Sequence, residues 1–247
     1  MKLCRSLLVG VLMVVGMIIL PVSAQSQVPS WDVSLGAFVG GALPFGTDVQ
    51  SSGQTMGLPF SFTAKDLSLK DSVSFGGTLT GWWTGLRDQT HLDVGLGLDV
   101  TQSYPDMKAQ NAPVWGTIAG LPVSGISAPW PKVGISSTLV GFDALIRWPL
   151  GVTPDLPNGR WYPYLGVGGG PDIARATLEG SSSTDTTAAL EVLGGVQFFL
   201  TRHLAVFAEY KFTHASHTFT FTGPTYHETD TGTGNVNHVV GGLAWHF

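Results

Sequence analysis

Residues 237–247, Asn-His-Val-Val-Gly-Gly-Leu-Ala-Trp-His-Phe, decide how this chain folds. Read with a period of two, Val239, Gly241, Leu243, Trp245 and Phe247 share one face of a strand. His238, Val240, Gly242, Ala244 and His246 share the other. The chain stops on an aromatic residue with no polar tail behind it. At the open edge of a soluble sheet such a strand would invite aggregation. It fits better as the last strand of a closed barrel, paired back onto the first so that no edge remains.

Composition points the same way. Of 247 residues only 12% are charged, while glycine reaches 33 and mean hydropathy is +0.23. Glycine weakens helices by ~1 kcal/mol per site relative to alanine, so a helical domain is disfavoured. The formal charge is −5 and no Lys/Arg cluster occurs, which excludes nucleic acid as a partner class. Residues 1–24 read as a secretory leader: Lys2 and Arg5, an apolar run from Leu7 to Leu20, then Val22-Ser23-Ala24 before Gln25. That run is short of the ~20 residues a spanning helix needs. Cys4, the sole cysteine, precedes it, so the exported domain, 25–247, has no disulfide.

Eight alternating segments follow: 31–43, 73–83, 92–100, 136–148, 161–170, 188–200, 204–213 and the closing stretch. The third is the cleanest, with Leu92, Val94, Leu96, Leu98 and Val100 alternating without exception with Asp93, Gly95, Gly97 and Asp99. The connections between them, 44–72, 84–90, 101–134, 149–160, 171–187, 201–203 and 214–235, alternate long and short. Outer-membrane barrels do this because periplasmic turns are short and external loops long, with both termini periplasmic. Trp31, Trp82, Trp83, Trp148, Trp161 and Trp245 stand at strand ends beside the short connections, where a periplasmic aromatic girdle belongs. The fold expected is all-β, an eight-stranded antiparallel up-and-down transmembrane barrel.

With Pro157-Asn-Gly-Arg-Trp-Tyr-Pro-Tyr164 and Phe207-Ala-Glu-Tyr-Lys-Phe212, this pattern resembles the OmpA-like outer-membrane β-barrel family over essentially the whole exported domain. The last strand is similar to the assembly signal of bacterial outer-membrane proteins. Gly242, Trp245 and Phe247 take the glycine, penultimate aromatic and terminal aromatic positions, while Val240 stands where a polar residue is common. The resemblance implies an outer-membrane location, lipid around the barrel and handling by the assembly machinery through that strand.

The inward face carries Asp32, Asp93, Asp99, Asp143, Arg147, Glu191, Glu209 and Lys211. An eight-stranded barrel is only wide enough for side chains to fill it, so these must pair with one another or with water. Two cations cannot neutralise six carboxylates, and water, protons or wet rims have to make up the difference. Such a network either plugs the lumen or gates a narrow conductance. His214 and Ser216 share the outward face, and their spacing is similar to that of outer-membrane lipid A deacylases, which would enlist Glu228 as the acid. His217 stands where that family has Asn, and nothing orients Glu228. His214, His217 and His227 do not form a metal set, since 214 and 217 point to opposite faces. Loop 101–134 is unusually apolar, with Trp115, Ile118, Leu121, Val123, Ile126 and Trp130 among prolines. It either packs as a lid or meets an apolar ligand or partner. A non-enzymatic structural or surface-interaction protein with no cofactor and no metal is therefore expected. A channel for small or hydrophobic solutes and a lipid A hydrolase are the alternatives.

Overall fold

The computed structural model describes residues 31–178, 180–223 and 225–247; the leader expected over 1–24 lies outside them. Twelve strands and one helical turn follow in order: β1 (Trp31–Pro44), β2 (Thr47–Thr55), β3 (Leu58–Leu67), β4 (Ser72–Trp83), α1 (Arg87–Thr90), β5 (Asp93–Ser103), β6 (Gln110–Ile118), β7 (Leu121–Trp130), β8 (Gly134–Arg147), β9 (Trp161–Leu178), β10 (Ser181–Phe199), β11 (Leu204–Thr222) and β12 (Tyr226–His246). No described helix is long and apolar enough to cross a membrane.

Eight strands, β1, β4, β5, β8, β9, β10, β11 and β12, pair antiparallel in that order. The final stretch then pairs with the first strand, from Ser34↔His246 to Pro44↔Val236, and shuts the ring. Gly242 is needed there: a Cβ on it would run into the backbone carbonyl oxygen of Ala37 on the paired strand. The alternation sets the faces as read from the sequence. Leu96, Phe142, Val167, Leu190, Val239 and Leu243 are exposed outward, and Asp93, Asp143, Arg147, Glu191 and Lys211 are buried inside.

The structure corrects the reading of the long connections. Residues 44–72 and 101–134 are not loops; each contains a hairpin, β2–β3 and β6–β7. β2 joins the outer part of β12, from Tyr226↔Thr55 to Gly232↔Val49, on the same edge that β1 occupies lower down. β3 carries β6, and single bridges Leu69↔Met107 and Met107↔Val133 stitch the hairpins to the ring. The expected loops 171–187 and 214–235 are largely strand, since β9 to β12 run 18 to 21 residues, with β9 ending at Leu178, β10 beginning at Ser181, β11 ending at Thr222 and β12 beginning at Tyr226. About 9–11 residues suffice to cross a bilayer, so the outer halves of these strands form a collar that stands clear of it. The collar has its own apolar core around Val49, Leu67, Met107, Val114, Trp130 and Phe221.

Candidate functional site

One lumen runs the length of the barrel and collar, and its lower part, toward Phe247, holds two polar layers. In the lowest, Arg147 on β8 donates to Asp93 (2.8 Å) and Asp32 (2.6 Å). Its guanidinium lies 4.6 Å from the ring centres of both Trp82 and Tyr162, which meet edge to face 5.9 Å apart and form a corner around the flat cation. Trp82 therefore does not belong to the girdle; its position on β4 turns it inward, where it is buried. Trp31, Trp83, Trp161 and Trp245 are exposed at the strand ends, and Trp148 is half-buried there.

The sequence reading missed Arg87. It sits in α1, outside the alternating pattern, and its side chain reaches in to grip both oxygens of Asp93. His246 completes the layer. Its Nδ1–H donates to Asp32 at 2.8 Å, because a carboxylate only accepts, and its Nε2 then accepts from Gln197. Two guanidiniums thus balance two carboxylates. Tyr162 and Phe199 close the layer with edge contacts.

The next layer up is not balanced. Lys211 donates to Asp99 at 2.5 Å and lies 3.1 Å from Glu191 and 3.9 Å from Glu209, whose other oxygen accepts from Tyr164. Asp99 also accepts from Thr101 (2.6 Å). Asp99, Asp143 and Glu191 bring oxygens within 4.8 Å of one another, a spacing open to a metal, but Lys211 already holds two of the three. Despite its nearness to Lys211, Glu191 has no well-aligned hydrogen bond on either oxygen, and Asp143 has one free oxygen. One cation faces four carboxylates. A cavity of about 40 Å³ beside them is large enough for water to serve those oxygens.

Above Thr101 the lumen changes character. A chamber of about 120 Å³ opens inside the collar, walled chiefly by apolar side chains including Met107, Val133, Ala215 and Phe221. Left empty, such a volume would cost roughly 3 kcal/mol at ~24 cal/mol per Å³. Its polar lining is mostly hydroxyls, with Asp172, Asp230, His217 and His238 as the ionisable groups. His217 bridges Asp172 (3.0 Å) and Asp185 (3.3 Å). Burial opposes a charge on that ring, but the hydrogen bonds and charges of the two carboxylates outweigh it and raise the His217 pKa. Asp230 keeps one buried oxygen free, and the indole N–H of Trp130 has no acceptor. Burial, then the charge of Glu228, pushes Asp230 up to about 7. The only hint of this chamber in the sequence was the apolar content of residues 101–134, of which Met107, Trp130 and Val133 line it.

The residues considered for ester hydrolysis are not brought together. His214 and Ser216 are exposed, and His214 bonds the Asn235 amide oxygen at 2.7 Å. Glu228 accepts from Ser51 and pairs with Phe221, seven positions from His214 along β11, or roughly 23 Å at 3.3 Å per residue. His227 bonds Thr222, so the three histidines do not meet either.

The barrel resembles solved structures only distantly. Neisserial surface protein A shares 15% identity and a TM-score of 0.38, over 84% of this chain and 96% of that one. The N-terminal barrel of Pseudomonas aeruginosa OprF gives 14% and 0.39 over 87% and 97%, and Pseudomonas aeruginosa OprG 13% and 0.45 over 87% and 95%. No curated protein matches the sequence. The family match is broad, covering residues 10–247, and together with the closed ring of strands it has one meaning: the chain belongs to the outer membrane protein β-barrel domain family and is an integral outer-membrane protein.

Proposed function

We propose that the protein is a non-conducting outer-membrane scaffold that holds its sheet collar at the cell surface, with both termini periplasmic. The observation that carries this is the lowest lumen layer. Arg147, cornered by Trp82 and Tyr162 and pinned by Asp32 and Asp93, the latter also held by Arg87, fills the width of an eight-stranded barrel. Planar-bilayer recording of the refolded protein tests it: silence is expected, and resolvable single-channel steps would replace the scaffold with a narrow channel.

The collar supplies a surface for partners. Trp115, Ile118, Leu121 and Ile126 on β6–β7 stay exposed, as do Met56 and Leu58 at the β2–β3 turn. Among the described residues β7 has no further strand beside it, and Pro122 and Pro129 blunt that free edge. An apolar partner at the cell surface suits such a face. No hydrolase role is assigned, because His214 is held by an amide while Glu228 is engaged elsewhere. Handling by the assembly machinery rests on the last strand, where Trp245 and Phe247 are exposed and the Phe247 N–H donates to Val33. Phe247→Ser should sharply lower the heat-modifiable, folded fraction in outer membranes, and wild-type levels would remove the last strand from that role.

A further inference from the structure

The chamber in the collar takes no part in plugging the lumen, and a scaffold has no use for it. Its walls come from separate places: the inner faces of β5, β8, β9, β11 and β12, the β2 flank, the end of β7, and the Leu69–Met107–Val133 bridge. A volume kept open by so many elements is a feature of the fold rather than a packing fault. It approaches the ~150 Å³ of an engineered apolar cavity that takes up benzene. That comparison limits an occupant to about one six-membered ring or an equivalent short chain.

Charge narrows the class further. Two carboxylates, Asp172 and Asp230, line the chamber and neither Lys nor Arg does. Asp172 is served by His217 and by Ser137, which donates at 2.7 Å. Asp230 keeps a free oxygen, and its nearest charged neighbour on the strand, Glu228, is of the same sign. Trp130 also borders the space, and an aromatic ring suits a cation. An anionic ligand would meet these two carboxylates with no Lys or Arg beside them, only the His217 ring that Asp172 and Asp185 already hold, and a purely apolar one would leave Asp230 unpaired.

We propose that the collar chamber is a binding site for a small organic amine, its apolar body packed against Met107, Val133 and Phe221 and its ammonium group paired with Asp230. The site is selective for positive charge at the level of one carboxylate. No covalent step is implied; the chamber binds and releases.

The test uses the refolded chain in phosphatidylcholine nanodiscs, where no detergent tail competes, with empty nanodiscs as the blank. Calorimetric titration with benzylamine, toluene and benzoate reads the selectivity directly. Benzylamine should bind saturably, toluene at least about tenfold more weakly, and benzoate not at all. Ala215→Phe puts a ring into the chamber and should abolish benzylamine binding in protein that still shows the folded gel mobility. If that variant fails to fold, Asp230→Asn stands alone: it should erase the preference for benzylamine over toluene while toluene binding persists. Absence of benzylamine binding to folded wild type, benzoate binding as tightly as benzylamine, or a preference unchanged in Asp230→Asn would each overturn the assignment.

Discussion

Within strand β11 the inward residues Phe207, Glu209 and Lys211 give way, beyond Thr213, to Ala215, His217, Phe219 and Phe221. Its outward residues switch at the same level, from Leu204, Val206, Ala208, Tyr210 and Phe212 to His214, Ser216, Thr218, Thr220 and Thr222. The lower half of the barrel is apolar outside and charged inside, and the collar is polar outside and mostly apolar inside. One strand thus obeys membrane-barrel rules for its first ten residues and soluble-barrel rules for the rest. The solvent on the outer face decides which applies. Lipid demands an aliphatic exterior and leaves the interior to ion pairs. Water accepts threonine outside, so burial of apolar area has to come from within.

If the halves differ in this way, substitutions should sort by level. The largest effect is expected at Arg147→Ala, which leaves Asp32 and Asp93 buried without their shared cation, at a cost of ~3–5 kcal/mol. Arg87 and His246 retain one contact each, so the outcome should fall at the lower end. Urea unfolding in lipid vesicles measures it, and a loss below about 1 kcal/mol would mean the lowest layer is wet and loosely coupled.

The outer faces give a sharper contrast. Leu96→Arg puts a charge into lipid and should cost ~2–4 kcal/mol, while Ile126→Arg, exposed on β7 in the collar, should stay within about 0.5 kcal/mol of wild type. Equal penalties in the same unfolding assay would show that the collar lies in the bilayer after all.

A smaller, pH-dependent effect than those of Arg147→Ala and Leu96→Arg is expected in the collar interior. The two carboxylates raise the pKa of His217 above its ordinary value despite the opposing effect of burial. The stability this supplies is present below the unfolded value of ~6.5 and is lost as pH rises through the raised folded value. The gap between wild type and His217→Ala should therefore be widest, roughly 1.5 kcal/mol, below pH 6.5 and narrow in alkaline buffer. A gap that grows with pH would reverse the sign of the coupling.

The same switch of solvent explains what could be read from the sequence. The lower ends of the strands, the closing pair and the inward acids were legible because aliphatic residues alternate with polar ones over 92–100 and 204–213. The reading of β11 stopped at Thr213 because the outward aliphatics stop there, although the strand continues to Thr222. Thr218-Phe-Thr-Phe-Thr222 alternates as well, but with the polar residues outside, a pattern that belongs to a different solvent. Arg87 was illegible for another reason. A turn residue carries no periodicity to say which way its side chain points, and only the fold shows that it enters the lumen beneath Asp93.

The contrast between a sealed lower lumen and a hollow collar is tested most directly by thiol accessibility. The chain from residue 25 onward contains no cysteine, so single cysteines can be placed at Ala215 in the chamber and at Leu145 among the packed rings below, both buried and inward. Folded protein in nanodiscs is treated with methyl methanethiosulfonate and analysed by intact mass. Ala215→Cys should react on mixing, and Leu145→Cys only as the barrel unfolds. Prompt reaction at Leu145→Cys, or equal protection at both positions, would contradict the account.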